Sequence, residues 1–229
     1  MSRLALLIVL VSAVLTVGVA PAGATNECRG LNPCVPVAGP WVVVPVGRAV
    51  PRAQVQYQLT CPRGFVVGGV DAELTDRAID VSIVGTSGSP VGPGITTSRA
   101  VVFVASYVGT GARAPTFRPH AGCLPATGGG QRTPTGVSAT VPPGKPTVRR
   151  VRTVRVRSSA TITVACRADE RLVAAHVARG FFTPAPPGLA LVASLSTTQR
   201  ISGTRVVVTA RARQGKGAVQ VAAVCAGGR

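Results

Sequence analysis

The sequence predicts an all-β protein of two tandem small antiparallel β-sandwich or barrel modules, each with one intramodule disulfide. Two observations carry that expectation. Cysteines recur in pairs of nearly equal span, Cys61 with Cys123 (123 − 61 = 62) and Cys166 with Cys225 (225 − 166 = 59), and the pairs stand 105 and 102 residues apart. Short Val-, Thr- and Ala-rich runs alternate with Gly- and Pro-rich breaks through both copies, which is a pattern of strands and turns.

Residues 1–24 read as a signal peptide: Arg3 precedes the mostly apolar run 4–20, and Ala22-Gly23-Ala24 supplies a small-residue cleavage site. An uncleaved anchor competes with cleavage, because the run approaches spanning length, but no charged stop-transfer flank follows it. No later segment is long and apolar enough to cross a bilayer, so no transmembrane segment is expected after signal removal. The expected product is secreted, extracellular or cell-wall associated. In an oxidising compartment six cysteines form a bridge framework before they form a metal site.

Six cysteines allow fifteen connectivities, so the pairing is argued from the duplication. It favours Cys61–Cys123 and Cys166–Cys225, leaving Cys28 with Cys34 as an N-terminal hook over residues 25–34. Zinc sites need close Cys or His pairs; here the closest cysteine spacing is C-x5-C, and His120 and His176 lie in unrelated contexts. Neither a metal nor a cofactor is expected.

Five strand-like runs follow in each copy. They are residues 54–60, 65–73, 79–84, 100–108 and 116–123 in the first, and 160–165, 171–178, 189–196, 204–212 and 218–225 in the second. Residues 167–178 have some helical character, but they align with 62–73, where Gly68-Gly69 opposes a helix. Most of the nineteen prolines and twenty-seven glycines fall in the breaks, where a β protein uses them. The repeat extends upstream: a shift of 105 lays Ala38-Gly39-Pro40-Trp41 on Pro143-Gly144-Lys145-Pro146, and Val42-Val43-Val44 on a Val-Arg run. Module one is therefore assigned to 35–125, a linker rich in Gly, Thr and Pro to 126–140, and module two to 141–229. Paired cysteines about 60 residues apart evoke an immunoglobulin-type sandwich. However, no Trp follows the first cysteine, Ala121 and Ala223 occupy the place of a tyrosine corner, and four residues follow Cys225. The bridge is expected to tie an early strand to the last one.

Cys61-Pro62-Arg63-Gly64 followed by Val66-Val67-Gly68-Gly69, closing about 60 residues later on an alternating strand that ends in Cys, resembles the small-residue-rich repeats of secreted actinobacterial proteins of unknown function. Module two departs from the pattern, with Val173-Ala174 in place of Gly68-Gly69. The resemblance implies an exported β module and brings no established active site.

Without Arg3 the chain has 24 basic and 7 acidic residues, a net of 24 − 7 = +17, and all the basic residues except Lys145 and Lys216 are Arg. Such a surface attracts polyanions. The candidate anion-binding set is the densest run: Lys145, Arg149, Arg150, Arg152, Arg155 and Arg157, six cations in thirteen residues. Its alternation slips phase between Arg152 and Arg155, which calls for a bulge or a two-sided edge strand. Arginines on an edge also discourage pairing with other chains, and Arg accumulates in GC-rich genomes, so composition alone explains part of the excess. One Trp, two Tyr and five Phe are too few for a base-stacking platform, and no recognition helix is visible, so nucleic acid is a poor match. Anionic envelope polymers and lipid headgroups fit better.

Catalytic groups are scarce: two His, seven carboxylates, and no free thiol if every cysteine pairs. Asp71, Glu73, Asp76 and Asp80 cluster, and Asp71 and Glu73 share one strand face, so a calcium site competes with a solvated strand end there. His176 occupies in module two the place of Asp71, and His120 has no partner that sequence assigns. Leu124-Pro125-Ala126-Thr127-Gly128 has the letters of a sortase signal, yet a whole module follows it, so it reads as the exit from module one. The expectation is an exported non-catalytic binding or structural protein, not an enzyme. The alternative is a small secreted hydrolase or inhibitor-like effector using Asp71, Glu73 or His176.

Overall fold

Among the described residues the β-branched runs form thirteen strands, and one helical turn interrupts them. The computed structural model describes residues 25–47, 51–86, 99–111, 114–126, 147–214 and 217–227. The predicted signal peptide, linker residues 127–140, Lys145, and Thr127-Gly128 of the sortase-like motif lie outside them. Every strand pair is antiparallel, as the all-β expectation requires.

The first half contains β1 (Val35–Ala38), β2 (Trp41–Val43), β3 (Gln54–Thr60), β4 (Phe65–Leu74), β5 (Ile79–Gly85), β6 (Ala100–Tyr107) and β7 (Thr116–Pro125). The second contains β8 (Val148–Val156), β9 (Ser159–Ala165), β10 (Glu170–Phe181), α1 (Leu189–Ala193), β11 (Leu195–Ser202), β12 (Arg205–Ala212) and β13 (Gly217–Gly227). Each half layers two sheets in one order. β4-β7-β1/β2 faces β3-β6-β5, as β10-β13-β8 faces β9-β12-β11. A register shift recurs at equivalent places, between Val67 and Gly69 on β4 and between Leu172 and Ala174 on β10.

Sequence spacing misaligned the strand that opens each half. Val35 lies opposite Cys123, and Val148 opposite Cys225, so these strands are offset by 148 − 35 = 113 residues instead of 105. Residues 44–53 separate β2 from β3, whereas two residues, 157 and 158, separate β8 from β9. The eight extra residues in the first half restore the cysteine spacing. Residues 189–193 also depart from the strand expected there: after Pro186-Pro187-Gly188 the chain makes one helical turn, and Val192 and Leu195 close the second core. Leu and Ala favour that turn, and the prolines prevent a strand from running into it.

The bridges Cys61–Cys123 and Cys166–Cys225 each join the end of one layer's strand to the last strand of the opposite layer, and Cys28–Cys34 closes the hook. The hook lies on the glycines of β4 and β7: a Cβ at Gly69 or Gly122 would collide with the Glu27 carbonyl, and Leu31 packs over Gly68. On β10, Val173 occupies the place of Gly68 and is exposed.

The halves are not separate sandwiches. β2 pairs with β7 on one edge and β10 on the other, so a seven-stranded sheet runs through both. Alternation along this chain sends Val42 and Val44 into the first core and Val43 into the second. Gly180 makes the junction possible, because a Cβ there would meet the Pro40 ring. Beyond it, the outer face of β10 and β13 is covered: Ala178 joins the first core, and Ala218, Gln220 and Ala222 are buried.

Val43→Ala removes two methyl groups from a buried site and is expected to cost about 2 kcal/mol. Both halves should then melt in one transition at a lower temperature; two resolved calorimetric transitions would show that the halves are independent. Replacing Cys166 and Cys225 by Ala opens a loop of 59 residues and is expected to cost about 4 kcal/mol, read from the urea midpoint.

Candidate functional site

β8 pairs with β13 without a register shift from Val148 to Val156, so the phase slip in the Arg run makes a two-sided edge strand with no bulge. Val154 and Val156 enter the second core, and Arg150 and Arg152 share their face near the strand's other end. Arg149, Val151, Thr153 and Arg155 take the opposite face, toward the first half.

The candidate anion-binding residues are therefore dispersed. Arg150 Nη2 donates to Glu170 Oε1 at 2.9 Å, with Nη1 2.7 Å from Oε2. The hydrogen bond from Arg150, then that from the Arg167 N–H, hold the Glu170 carboxyl below its usual range. Arg155 stacks over Phe182, 4.7 Å from the ring centroid, while Arg152 and Arg157 are exposed. Arg149 is turned inward, and Lys145 lies outside the described residues. Sequence alone did not reveal a second set on the outer face of β11 and β12: Arg200, Arg205 and Arg211 are exposed there, spaced too widely to read as a run.

Between β3 and β8 the two halves meet through a side-chain clasp. Gln58 N–H donates to Gln220 Oε1 at 2.6 Å, and Gln220 Nε2 donates to the Gln58 carbonyl at 2.9 Å and to Thr153 Oγ1 at 3.0 Å. A cleft of about 440 Å³, lined by Gln54, Gln56, Ser82, Thr147, Arg149 and His176, opens beside the clasp. Another of about 430 Å³ is lined by Tyr57, Thr60, Arg99, Val151 and Gln220. Burial pushes the Tyr57 hydroxyl up to about 12 and keeps it neutral.

In the first cleft Arg149 Nη1 donates to Gln56 Oε1 at 2.7 Å. Its Nε and Nη2 are buried without a protein hydrogen-bond partner. Burial lowers the guanidinium to about 10, still cationic at neutral pH. Burial first, and then the charge of Arg149, lower His176 to about 4, so its imidazole is neutral at physiological pH.

The acidic cluster does not converge. Asp71 accepts from the Asn26 and Ala72 N–H groups, and Asp76 from the Ala78 N–H and the Tyr107 hydroxyl. Glu73 lies 2.9 Å from His120 Nε2, too far out of line to count as a good hydrogen bond, and buried Glu27 of the hook lies 3.7 Å from Nδ1. His120 thus sits between carboxylates that arrive from the hook and from β4, which no local spacing could reveal. His176 lies on β10, which β2 and β7 separate from β4 in the sheet order, so it does not join Asp71 and Glu73. Among the described residues, the grouping with metal-ligand proximity is Cys166, Glu170 and Cys225, whose sulfurs form a disulfide and offer no thiolate. No helix among them is long and apolar enough to cross a membrane.

Comparison with protein-family models, curated proteins and solved structures returns no match. The site is read from its own chemistry.

His176 binds a proton more readily unfolded, near 6.5, than folded, near 4. The unfolded state therefore takes up more protons across that interval, and stability should fall as pH drops from about 6.5 to about 4, levelling off below. His176→Gln should flatten that part of a stability-against-pH curve measured by urea unfolding.

Proposed function

We propose that this chain is an exported, non-catalytic binding or structural protein that associates with anionic envelope polymers or lipid headgroups through its arginine-rich surface. The charge balance carries the proposal. Glu27, Asp71, Glu73, Asp76 and Glu170 are directed to His120, Arg150, Tyr107 or backbone N–H groups. Arginines on both faces of β8 and on the outer face of β11 and β12 are left facing solvent with few acids to meet them. A field of one sign extending over several faces suits an extended polyanion better than a single small substrate.

Three disulfides support export, since such bridges persist in oxidising compartments. The resemblance of the Cys61-to-Gly69 segment to secreted actinobacterial repeats points the same way. The alternative, hydrolysis by Asp71, Glu73 or His176, gains no support from carboxylates bound to the hook and a turn and an imidazole on another strand.

Retention of the mature protein on liposomes of phosphatidylglycerol and phosphatidylcholine, and on isolated cell walls, is expected to fall steeply as salt rises, because exposed charges are screened within a Debye length of about 8 Å at physiological ionic strength. Retention unchanged between low and high salt would overturn the proposal.

A further inference from the structure

Arg149 differs from the other described cations of the candidate set. Its Nη1 is fixed by Gln56 Oε1 at 2.7 Å, while Nε and Nη2, which form the side-on fork of the guanidinium, are buried without a protein hydrogen-bond partner. An unmatched cation removed from water is costly, and proteins pair such groups. Arg150 has Glu170 and Arg155 has the Phe182 ring; no carboxylate lines the cleft beside Arg149.

We infer that the cleft between β3 and β8 is a socket for one singly charged oxyanion, a carboxylate or a phosphodiester group, received on the Nε/Nη2 fork of Arg149 beside Gln54, Gln56 and His176. The inference rests on the reading of the chain as a binder of anionic polymers and names the group that it would grip. The planar fork matches two oxygens of such a group, which a lysine ammonium does not. Gln56 holds the guanidinium through Nη1 while Nε and Nη2 are covered, so engaging the ligand requires the side chain to exchange its Gln56 bond for the ligand's oxygens as it turns into the cleft. Gln54 and Gln56 carry amide donors, and His176 carries one imidazole N–H in its neutral form.

The charge of the cleft sets the charge of the ligand. With His176 neutral, Arg149 is the charged group among the described lining residues, which balances a monoanion and leaves a dianion in excess. The cleft, about 440 Å³, is larger than a bare ion, so the group would enter as part of a larger carrier such as an acidic sugar or a phosphodiester-linked unit. The site needs both halves, Gln54 and Gln56 from one and Arg149 and His176 from the other, so the shared sheet creates it.

The test titrates the intact mature protein, at constant ionic strength and neutral pH, with acetate, dimethyl phosphate and sulfate while amide NMR resonances are followed. Saturable shifts at Gln56, Arg149 and His176 with acetate or dimethyl phosphate are expected, and the stronger of the two identifies the group as carboxylate or phosphodiester. The bound anion should also raise the His176 titration from about 4 toward 6.5, because a nearby negative charge favours the protonated ring. Arg149→Gln should weaken binding about tenfold or more, the effect of losing a charge-assisted hydrogen bond. Arg152→Gln should leave it unchanged. If Arg149→Gln does not fold, Arg149→Lys decides, since it keeps the charge and loses the fork. Shifts that do not saturate, equal binding by Arg149→Gln or Arg149→Lys, or preference for sulfate would overturn the socket. Absence of cleft binding while salt-sensitive retention on liposomes persists would remove the socket and leave surface association standing. Cleft binding without such retention would do the reverse.

Discussion

A three-residue strand holds this protein together. β2 offers both of its edges, one to β7 and one to β10, and the alternation that continues through Val44 feeds side chains to both cores. A strand can do this only where both neighbours approach closely, which Gly180 allows beside Pro40. Every backbone group of so short a strand must find its partners in these ladders, because an unpaired buried N–H or carbonyl costs about 1–3 kcal/mol. The duplicated halves therefore share a sheet, and neither can lose β2 without opening its core.

The same junction determines where polar groups are trapped. Because the second half's sheet continues from β2, part of the outer face of β10 and β13 is laid against the first half and removed from water, while the same face of β8 is only partly covered. Gln220 meets that burial by bonding both backbone groups of Gln58, a fully paired arrangement. Arg149 meets it only in part, through Gln56. The contrast within one interface separates a structural contact from a candidate site, since a satisfied glutamine needs nothing further and a half-satisfied guanidinium does.

The strands and the bridges were legible because they repeat with a local signature: period-two Val and Thr runs between Gly and Pro breaks, and cysteines at a recurring interval. The opening strands of the two halves were misaligned with each other because an insertion at residues 44–53 is invisible to a fixed shift. Residues 189–193 were misread because five apolar residues are as consistent with a helical turn as with a strand, and only packing of Val192 on the second core decides. Among site residues, the Arg run was visible as density, but its members face different surroundings, and Arg149 was not distinguishable from Arg152. His120 had no partner in its own stretch because Glu27 and Glu73 come from elsewhere in the chain.

By itself the sequence determined the all-β class, the duplicated cysteine frame, the Cys28–Cys34 hook and the excess of arginine, since each follows from residue type and spacing along one strand of chain. Tertiary structure alone decided that the copies share one sheet, that Arg149 is half-buried beside a neutral His176, and that carboxylates of the first half turn onto the hook and a hairpin. The physical reason is range. Hydrogen-bonding preference and hydrophobic alternation act between neighbours in sequence, whereas desolvation and charge pairing depend on which distant strands come to lie within a few ångströms of each other.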